Sequence, residues 1–474
     1  MNGGANRQVG LNRKRSKNGR RLSAGLFGSV VALAAFQGAR AETLESALAR
    51  AYGNNPTLNA QRANVRAVDE TVPQQKAGFR PRVNAAGEIS GTVTESNPDR
   101  RRATTTRVGS QAAALEVQQN VFNGFITSNS VRQAESNVLG ARETLRNNEQ
   151  NVLFDSAAAY MNVLRDTAIL NLQRNNVDVI EEQLRQTRDR FNVGEVTRTD
   201  VAQAESRLAL ARSQASAAEA QLRTSIATYR QVIGVEPRQL APGRPLDRLL
   251  PRSVDAALRV AFNEHPAIKA AQHGVDVAEL QVRIEQGALA PQLGVRGAVD
   301  QRYDTQVGGD RAFSASVVAQ LVVPIYEGGQ AYASTRQAKE TAGQRRLEAD
   351  SIRDQVRAAV ISSWGQLEAA RAQITAAQAQ VDAAETALNG VREEARVGQR
   401  TTLDVLNAQQ ELLNARVNLI TAQRERVVFS YLVVQAMGRL NSRALGLSVN
   451  HYSPKIHYDQ VKDLWGGLTT PDGR

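Results

Sequence analysis

Apolar residues recur every seven positions along two proline-free stretches of the chain, between Pro98 and Pro237 and between Pro324 and Pro454. Sevenfold spacing is typical of helices that pack as coiled coils. Two rows in the first stretch show it: Val131, Val138, Leu145, Val152 and Ala159, and then Val201, Leu208, Ala215, Leu222 and Tyr229. We therefore predict helices over 127–191, 198–233, 330–394 and 402–440. The helix over 127–191 would be about 100 Å long at a rise of 1.5 Å per residue.

A period of two precedes each long helix. From Val83 to Thr94 the odd positions are apolar or glycine and the even positions are mostly polar, and the pattern returns between Leu293 and Ile325. The pattern predicts β-hairpins over 82–122 and 292–326, with turns at 98–102 and 308–311. Such alternation occurs in half-buried soluble sheets, but over about ten residues it is also typical of transmembrane barrel strands.

The barrel interpretation also requires more than one chain. Four strands cannot close a barrel that spans a bilayer, because the smallest such barrels have about eight strands. Several chains must then share one barrel, and three chains would supply twelve strands. The sequence therefore predicts a mixed α and β membrane protein whose transmembrane β-barrel is shared by several chains.

Both periodicities occur twice because the chain contains an internal repeat. Residues 43–56 match residues 253–266, and Val193-Gly194 matches Val397-Gly398. We assign the first repeat to 42–234 and the second to 253–440, each consisting of a helix, a hairpin, a long helix and a further helix. A proline-rich linker, 235–252, joins them, and 441–474 is a C-terminal tail.

The first 41 residues have the composition of a secretory signal peptide. Residues 1–21 contain seven Lys or Arg and no acid, Leu22 to Phe36 is apolar, and Ala39-Arg40-Ala41 fits a cleavage site before Glu42. Residues 1–41 hold eight of the 59 basic residues, so their removal lowers the net charge from +12 to +4. A charge of +4 is poor evidence for nucleic-acid binding, and we expect no nucleic-acid partner.

The residues that most enzymes and metal sites use are scarce. The chain has no Cys and four His, and no pair of His has the spacing of a zinc motif. No glycine-rich phosphate loop and no Ser-His-Asp arrangement is visible. We expect neither an enzyme, nor a cofactor, nor a metal site.

The segments between the paired helices, which we call the tips, carry a repeated local motif. Gly194 and Gly398 follow the long helices, and glycine there suits a left-handed helix end. Thr197-x-x-Asp200 and the matching segment Thr401-x-x-Asp404 have the spacing of a capping box, with Asp in place of Glu. Capping alone would explain both aspartates.

The order signal peptide, helix, hairpin, long helix, tip and helix, then the same again, resembles the TolC family of outer-membrane channel proteins. The most specific matching segments are 193–201 and 397–409, together with the hairpin exits 121–124 and 324–329. The resemblance implies a homotrimer in the outer membrane, with one shared 12-stranded transmembrane β-barrel, four strands from each chain. It also implies that a long α-helical coiled-coil tunnel continues the barrel into the periplasm. It also implies a periplasmic adaptor, an inner-membrane transporter and contact with outer-membrane lipid.

The resemblance further implies a constriction at the periplasmic mouth of the tunnel. Asp404 matches an acidic position that lines this constriction, so three copies would form an anionic ring. The second acidic position of the family is Asn407 here, so the ring would have three carboxylates.

Members of the family also hold the mouth shut by contacts between the tips. Arg400 and Thr199 match one such pair. Asp200 matches one partner of the other pair, but Ala395 replaces the tyrosine that would bind it. By the same resemblance, the adaptor would dock on the tip turns: Gly194, Thr197, Gly398 and Thr401.

Three functions remain open at this point. The resemblance favours an export duct, and the tail at 451–466 resembles tails of members that serve type I protein secretion with an ABC transporter. The alternative is a multidrug efflux pump, although many efflux members carry a lipid-modified Cys that this chain lacks. A purely structural coiled-coil protein would explain the sevenfold spacing but not the alternating segments.

Overall fold

The structure, a computed structural model, describes residues 41–97, 103–304 and 309–473. The predicted signal peptide up to residue 40, the turn at 98–102 and residue 308 of the second turn lie outside the described residues. The first repeat contains these elements: α1 (Leu44–Asn54), α2 (Pro56–Asp69), α3 (Thr71–Lys76), β1 (Arg82–Ser96), β2 (Thr104–Asn123), α4 (Ile126–Asn192) and α5 (Arg198–Ile233). The second repeat and the tail contain these: α6 (Val254–Glu264), α7 (Pro266–Gly287), β3 (Gln292–Asp304), β4 (Asp310–Val322), α8 (Gln330–Arg396), α9 (Thr402–Ala436) and α10 (Pro454–Val461).

Each repeat begins with a broken helix rather than the single predicted one. Asn55 and His265 are extended, with ψ near 122°, and each precedes a proline. Proline disfavours the helical conformation of the residue before it and has no N–H to continue the helix. Asn55 and His265 therefore end one helix and cap the next, and both caps are made by side-chain acceptors. Asn55 Oδ1 accepts from the N–H of Thr57 at 2.9 Å, and His265 Nδ1 accepts from that of Ala267 at 3.2 Å.

The His265 cap makes the fold sensitive to acid. Burial lowers the pKa of His265 to about 4, whereas an unfolded histidine has a pKa of about 6.5. As the pH falls from 6.5 to 4, the unfolded chain takes up the proton first, so the folded state loses up to about 3 kcal/mol relative to it.

We predict that His265→Asn removes this loss, because Asn is the residue that makes the same cap at position 55 in the first repeat. Thermal unfolding between pH 7.5 and 4 would compare the variant with the wild type. Equal stability at pH 7.5 and a shallower decline below pH 6.5 are expected. An unchanged slope would contradict the prediction.

The four strands form one antiparallel sheet in the order β1-β2-β3-β4. Up to a register shift between Asn120 and Phe122, odd-numbered residues of all four strands lie on one face; one row across the sheet is Val83, Val117, Gly297 and Val317. This face is apolar and exposed in the single chain, with Ile89 and Val317 more than four-fifths exposed. An apolar face of this extent indicates a surface that contacts something other than water.

The opposite face of the sheet is polar and its side chains contact each other across the strands. Glu116 and Arg296 form an ion pair at 2.8 Å, and the Ser90 and Ser110 hydroxyls lie 2.7 Å apart. The last strand ends at Val322, so the predicted hairpin 292–326 extends four residues too far. Pro324 explains the difference, because proline has no N–H to donate to a neighbouring strand.

The long helices α4 and α8 have 67 residues each, and pair with α5 and α9 respectively. All five residues of the first sevenfold row are buried, including Val138 and Leu145. The helix α9 ends at Ala436 and not at 440, because Gly438 adopts a left-handed conformation with φ +80°. None of the described helices carries a run of eighteen residues apolar enough for a bilayer span.

The main core lies around the middle of the long helices, where Tyr160, Tyr229 and Tyr431 are buried. The Tyr160 hydroxyl lies 2.7 Å from the carbonyl oxygen of Glu42 and 2.6 Å from that of Ala241. The start of the described chain and the linker are therefore both hydrogen-bonded to the Tyr160 hydroxyl.

The predicted tail is a packed segment that returns along the first repeat. Its helix α10 lies against α2, where His457 Nδ1 is 3.0 Å from the buried Asp69 carboxylate. Further along, Lys76 Nζ contacts Asp463 at 2.7 Å. The tail therefore runs from the core towards the end of α3 that precedes the first strand.

Candidate functional site

The candidate site lies at the two tips where α4 turns into α5 and α8 turns into α9. The predicted glycines end the long helices: Gly194 has φ +79° and Gly398 has φ +80°. After each glycine the chain bonds back to the helix, with the N–H of Glu195 donating to Arg190 O and that of Gln399 donating to Glu394 O, both at 2.9 Å. This is the Schellman pattern of helix ends. The two tips therefore have the same backbone turn.

Both predicted capping boxes form. Thr197 and Asp200 exchange hydrogen bonds with each other's backbone N–H groups at 2.9 and 3.3 Å, and Thr401 and Asp404 do so at 3.0 and 3.2 Å. Each carboxylate also accepts from its threonine hydroxyl, at 2.7 Å for Asp200 and 2.9 Å for Asp404.

These bonds favour the charged form of both aspartates. Hydrogen bonds from the side chain and then the backbone of Thr197 lower the pKa of Asp200. Hydrogen bonds from the backbone and then the side chain of Thr401 lower the pKa of Asp404. Both tips therefore carry a fixed negative charge at neutral pH.

Arg400 contacts its own tip in the single chain. Its Nε lies 2.8 Å from the Glu394 carboxylate, which raises the pKa of Arg400. Within the described residues, Thr199 makes no side-chain hydrogen bond, and the structure does not bring Arg400 and Thr199 together. The predicted contact of Arg400 with Thr199 therefore stays a prediction for the assembled protein.

A different side chain joins the two tips. Arg207 of α5 donates to the Asn407 side-chain oxygen of α9 at 2.7 Å. The residue before Asn407, Leu406, is buried in a cluster with Ile180 and Leu184 of α4. Asn407, one of the predicted constriction residues, is thus held by the neighbouring helix pair. Sequence reasoning missed Arg207, because nothing in the spacing of α5 separates it from the other exposed arginines of that helix.

Each tip carries an exposed valine. Val193 and Val397 are 78% and 71% exposed, and each stands directly before the left-handed glycine. The two valines occupy corresponding positions in the two repeats, so each tip presents one apolar side chain to its surroundings. The tips therefore carry two charged carboxylates, one hydrogen bond that joins the two helix pairs, and two exposed apolar side chains. The described part of the chain holds no cluster of three residues that could ligate a metal ion.

The chain matches one family model twice, over residues 47–235 and 257–439, and the description of that family is outer membrane efflux protein. The two matches correspond to the two repeats. The chain is 44% identical over 440 residues to the outer membrane efflux protein BepC of Brucella suis, covering 92% of this chain and 94% of that one.

More distant relatives extend this comparison. The outer membrane protein TolC of Escherichia coli is 26% identical over 433 residues, 87% of this chain and 85% of TolC. The alkaline protease secretion protein AprF of Pseudomonas aeruginosa is 26% identical over 353 residues, 71% of this chain and 70% of that one. Among solved structures, the outer membrane channel CmeC of Campylobacter jejuni superposes with a TM-score of 0.75 at 14% identity, with 89% of each chain covered.

Proposed function

Because this chain belongs to the outer membrane efflux protein family, we propose that three copies of it form one continuous exit duct through the outer membrane and into the periplasm. The family is one of outer-membrane channels and not of enzymes. Each chain has the TolC-like fold with two repeats. The observation that carries the proposal is the single sheet with one apolar and one polar face.

The two faces of the sheet suit a barrel wall with lipid outside and water inside. The apolar face would contact lipid, while the polar face, with its Glu116–Arg296 pair, would line the lumen. Among the described residues, β1 and β4 each have only one neighbouring strand. Exposed strand edges are sites of pairing with other chains. Pairing of β4 with β1 of a second copy would close twelve strands after three chains.

A duct has no energy source of its own, so a powered partner must drive transport. We propose a tripartite assembly with a periplasmic adaptor and an inner-membrane transporter. The adaptor would bind the tips, where Val193 and Val397 offer apolar contacts beside Gly194 and Gly398. Thr197 and Thr401, which cap the following helices, would fix the shape of this surface.

Two classes of cargo have separate support. The 44% identical relative is named an efflux protein, which supports the export of small compounds. Type I protein secretion, with an ABC transporter, is supported by the tail and by the similarity to a protease secretion protein. The name of the relative at 44% identity carries more weight than the tail, so we propose small-compound efflux as the first candidate and protein secretion as the second.

Conductance in planar lipid bilayers tests the duct itself. Purified protein should run as a heat-modifiable trimer and should form discrete, long-lived conducting channels in a bilayer. A protein that stays monomeric without detergent and conducts nothing would refute the proposal. Deleting the gene and measuring both sensitivity to toxic compounds and the secreted proteins would then separate the two cargo classes.

At the tips, we propose that Asp404 forms an anionic ring at the narrowest point of the duct. Asp404→Ala is expected to change the single-channel conductance and to weaken block by divalent cations, because three carboxylates would be lost from the ring. The trimer should remain folded, since only a helix cap at an exposed tip is removed. Single-channel recording with added divalent cations measures the effect.

The first repeat supplies a matched control. Asp200 forms the same capping box as Asp404, so Asp200→Ala removes the same cap without removing the proposed ring. If both variants changed conductance and block equally, the effect would belong to helix capping and the ring assignment would be wrong.

A further inference from the structure

The end of the tail presents large apolar side chains to its surroundings. Trp465 is 74% exposed and Leu468 is fully exposed, while Leu464 is about half exposed. Phe79, which precedes β1, is also more than half exposed. We call these four residues the tail patch. A patch of this composition at one place on the surface indicates a contact with an apolar partner.

Arginine contacts fix the tail patch at the level where the sheet begins. Arg80 Nη1 donates to the carbonyl oxygen of Leu464 at 2.6 Å, and its guanidinium lies 4.5 Å from the centre of the Trp465 ring. Arg80 stands two residues before Arg82, the first residue of β1. The ion pair of Lys76 with Asp463 holds the preceding part of the tail. Trp465 therefore lies beside the start of the first strand.

The tail patch also lies on the apolar side of the sheet. The register pairs Gln119 with Val295 and so places Gln119 on the apolar, odd-numbered face. Its side-chain amide donates to the carbonyl oxygen of Phe79 at 3.1 Å. Since Phe79 is joined directly to Arg80, the residue that holds Trp465, the tail patch continues the apolar face at its helix-side end.

We propose that the tail patch rests on the phospholipid surface of the outer membrane that faces the periplasm. This inference depends on the proposed function, in which the apolar face of the sheet spans the membrane. Tryptophan favours the boundary between hydrocarbon and headgroups, because its ring is apolar while its N–H can stay hydrated. Trp465 and Phe79 would enter this boundary beneath the lipid-facing strands.

Charge favours a lipid surface as the partner. Arg80 lies at the tail patch and would face headgroup phosphates, which attract basic side chains at membrane surfaces. The nearby acids are already paired, Asp463 with Lys76 and Asp459 with Lys462. The contact would anchor the tail of each subunit, and through α10 the outer surface of the helices, to the membrane.

The chain is suited to a direct test because it has only two tryptophans, Trp364 and Trp465. Trp364→Phe leaves Trp465 as the sole reporter, and Trp465→Phe leaves Trp364, which lies on α8. A third variant adds Val317→Trp to the double replacement and reports on the apolar face itself. Each full-length protein is reconstituted into phosphatidylcholine–phosphatidylglycerol vesicles that carry no bromine, bromine on the acyl chains near the headgroups, or bromine near the bilayer centre.

We expect bromine near the headgroups to remove most of the Trp465 emission and to leave that of Trp364 unchanged, while bromine near the bilayer centre quenches the tryptophan at 317. Quenching of 317 without quenching of Trp465 would overturn the tail contact alone. In that case, sensitivity to aqueous acrylamide would show a patch left in water, and resistance to it would show a patch covered by another protein chain. If neither Trp465 nor the tryptophan at 317 were quenched, both the membrane-spanning sheet and this contact would be overturned.

Discussion

Replacing Val317 with Arg is expected to remove most of the protein from the outer membrane. Val317 lies on the apolar face near the middle of β4 and is 82% exposed in the single chain. A lipid-facing Arg near the bilayer midplane costs about 2–4 kcal/mol, and each proposed barrel would contain three. The loss of trimers from purified outer membranes, measured by heat-modifiable migration in electrophoresis, should be nearly complete.

The neighbouring residue provides the control. Ser316 is also in β4 but lies on the polar face, in register with Ala298. Ser316→Arg introduces the same charge and a similar bulk, but into the proposed aqueous lumen, so the trimer should form normally. If Ser316→Arg were as harmful as Val317→Arg, the assignment of one face to lipid and the other to water would be wrong.

A second large effect is expected from Gly124→Ala, at the junction between β2 and α4. Gly124 has φ +62°, and a methyl group there would lie 2.2 Å from the carbonyl oxygen of Gly287 and 2.8 Å from Ala290 Cβ. The backbone oxygen cannot move aside as a side chain could, because Gly287 ends α7 in the second repeat. We expect a loss of about 3–5 kcal/mol of stability, at the upper end of single substitutions.

Gly234→Ala is the comparison that isolates the clash. Gly234 is also left-handed, with φ +89°, but no atom lies within 4 Å of an added methyl group. Only the backbone cost of about 1–2 kcal/mol should then apply. The temperature at which each purified variant dissociates and unfolds in detergent would rank the two. Equal effects would mean that the contact between Gly124 and Gly287 does not hold the repeats together.

Local pattern was sufficient for most of the secondary structure. The sevenfold row from Val131 to Ala159 and the absence of proline place α4, which runs one residue beyond the predicted range at each end. The capping residues Thr197 and Thr401 were visible because a cap depends on residues three positions apart. The helix breaks at Asn55 and His265 were missed, although the proline after each of them was a local signal.

Contacts between distant residues could not be predicted in this way. Arg207 and Asn407 are 200 residues apart in sequence, and their hydrogen bond depends on α5 lying beside α9. Gly124 approaches Gly287 only because the sheet brings the two repeats together. No spacing rule relates such pairs, since each position looks like an ordinary surface arginine or turn glycine when it is considered alone.

The sequence by itself therefore determined the repeated order of helices and strands, the two periodicities and the family resemblance, because each of these depends on neighbours along the chain. Tertiary structure alone decided which face of the sheet is continuous across four strands, which side chain joins the tips, and where the tail ends. The last of these places Trp465 beside Arg80 across 385 residues of sequence. The physical reason is that register and packing are set by the meeting of distant segments, and their geometry is not encoded in any one window of the chain.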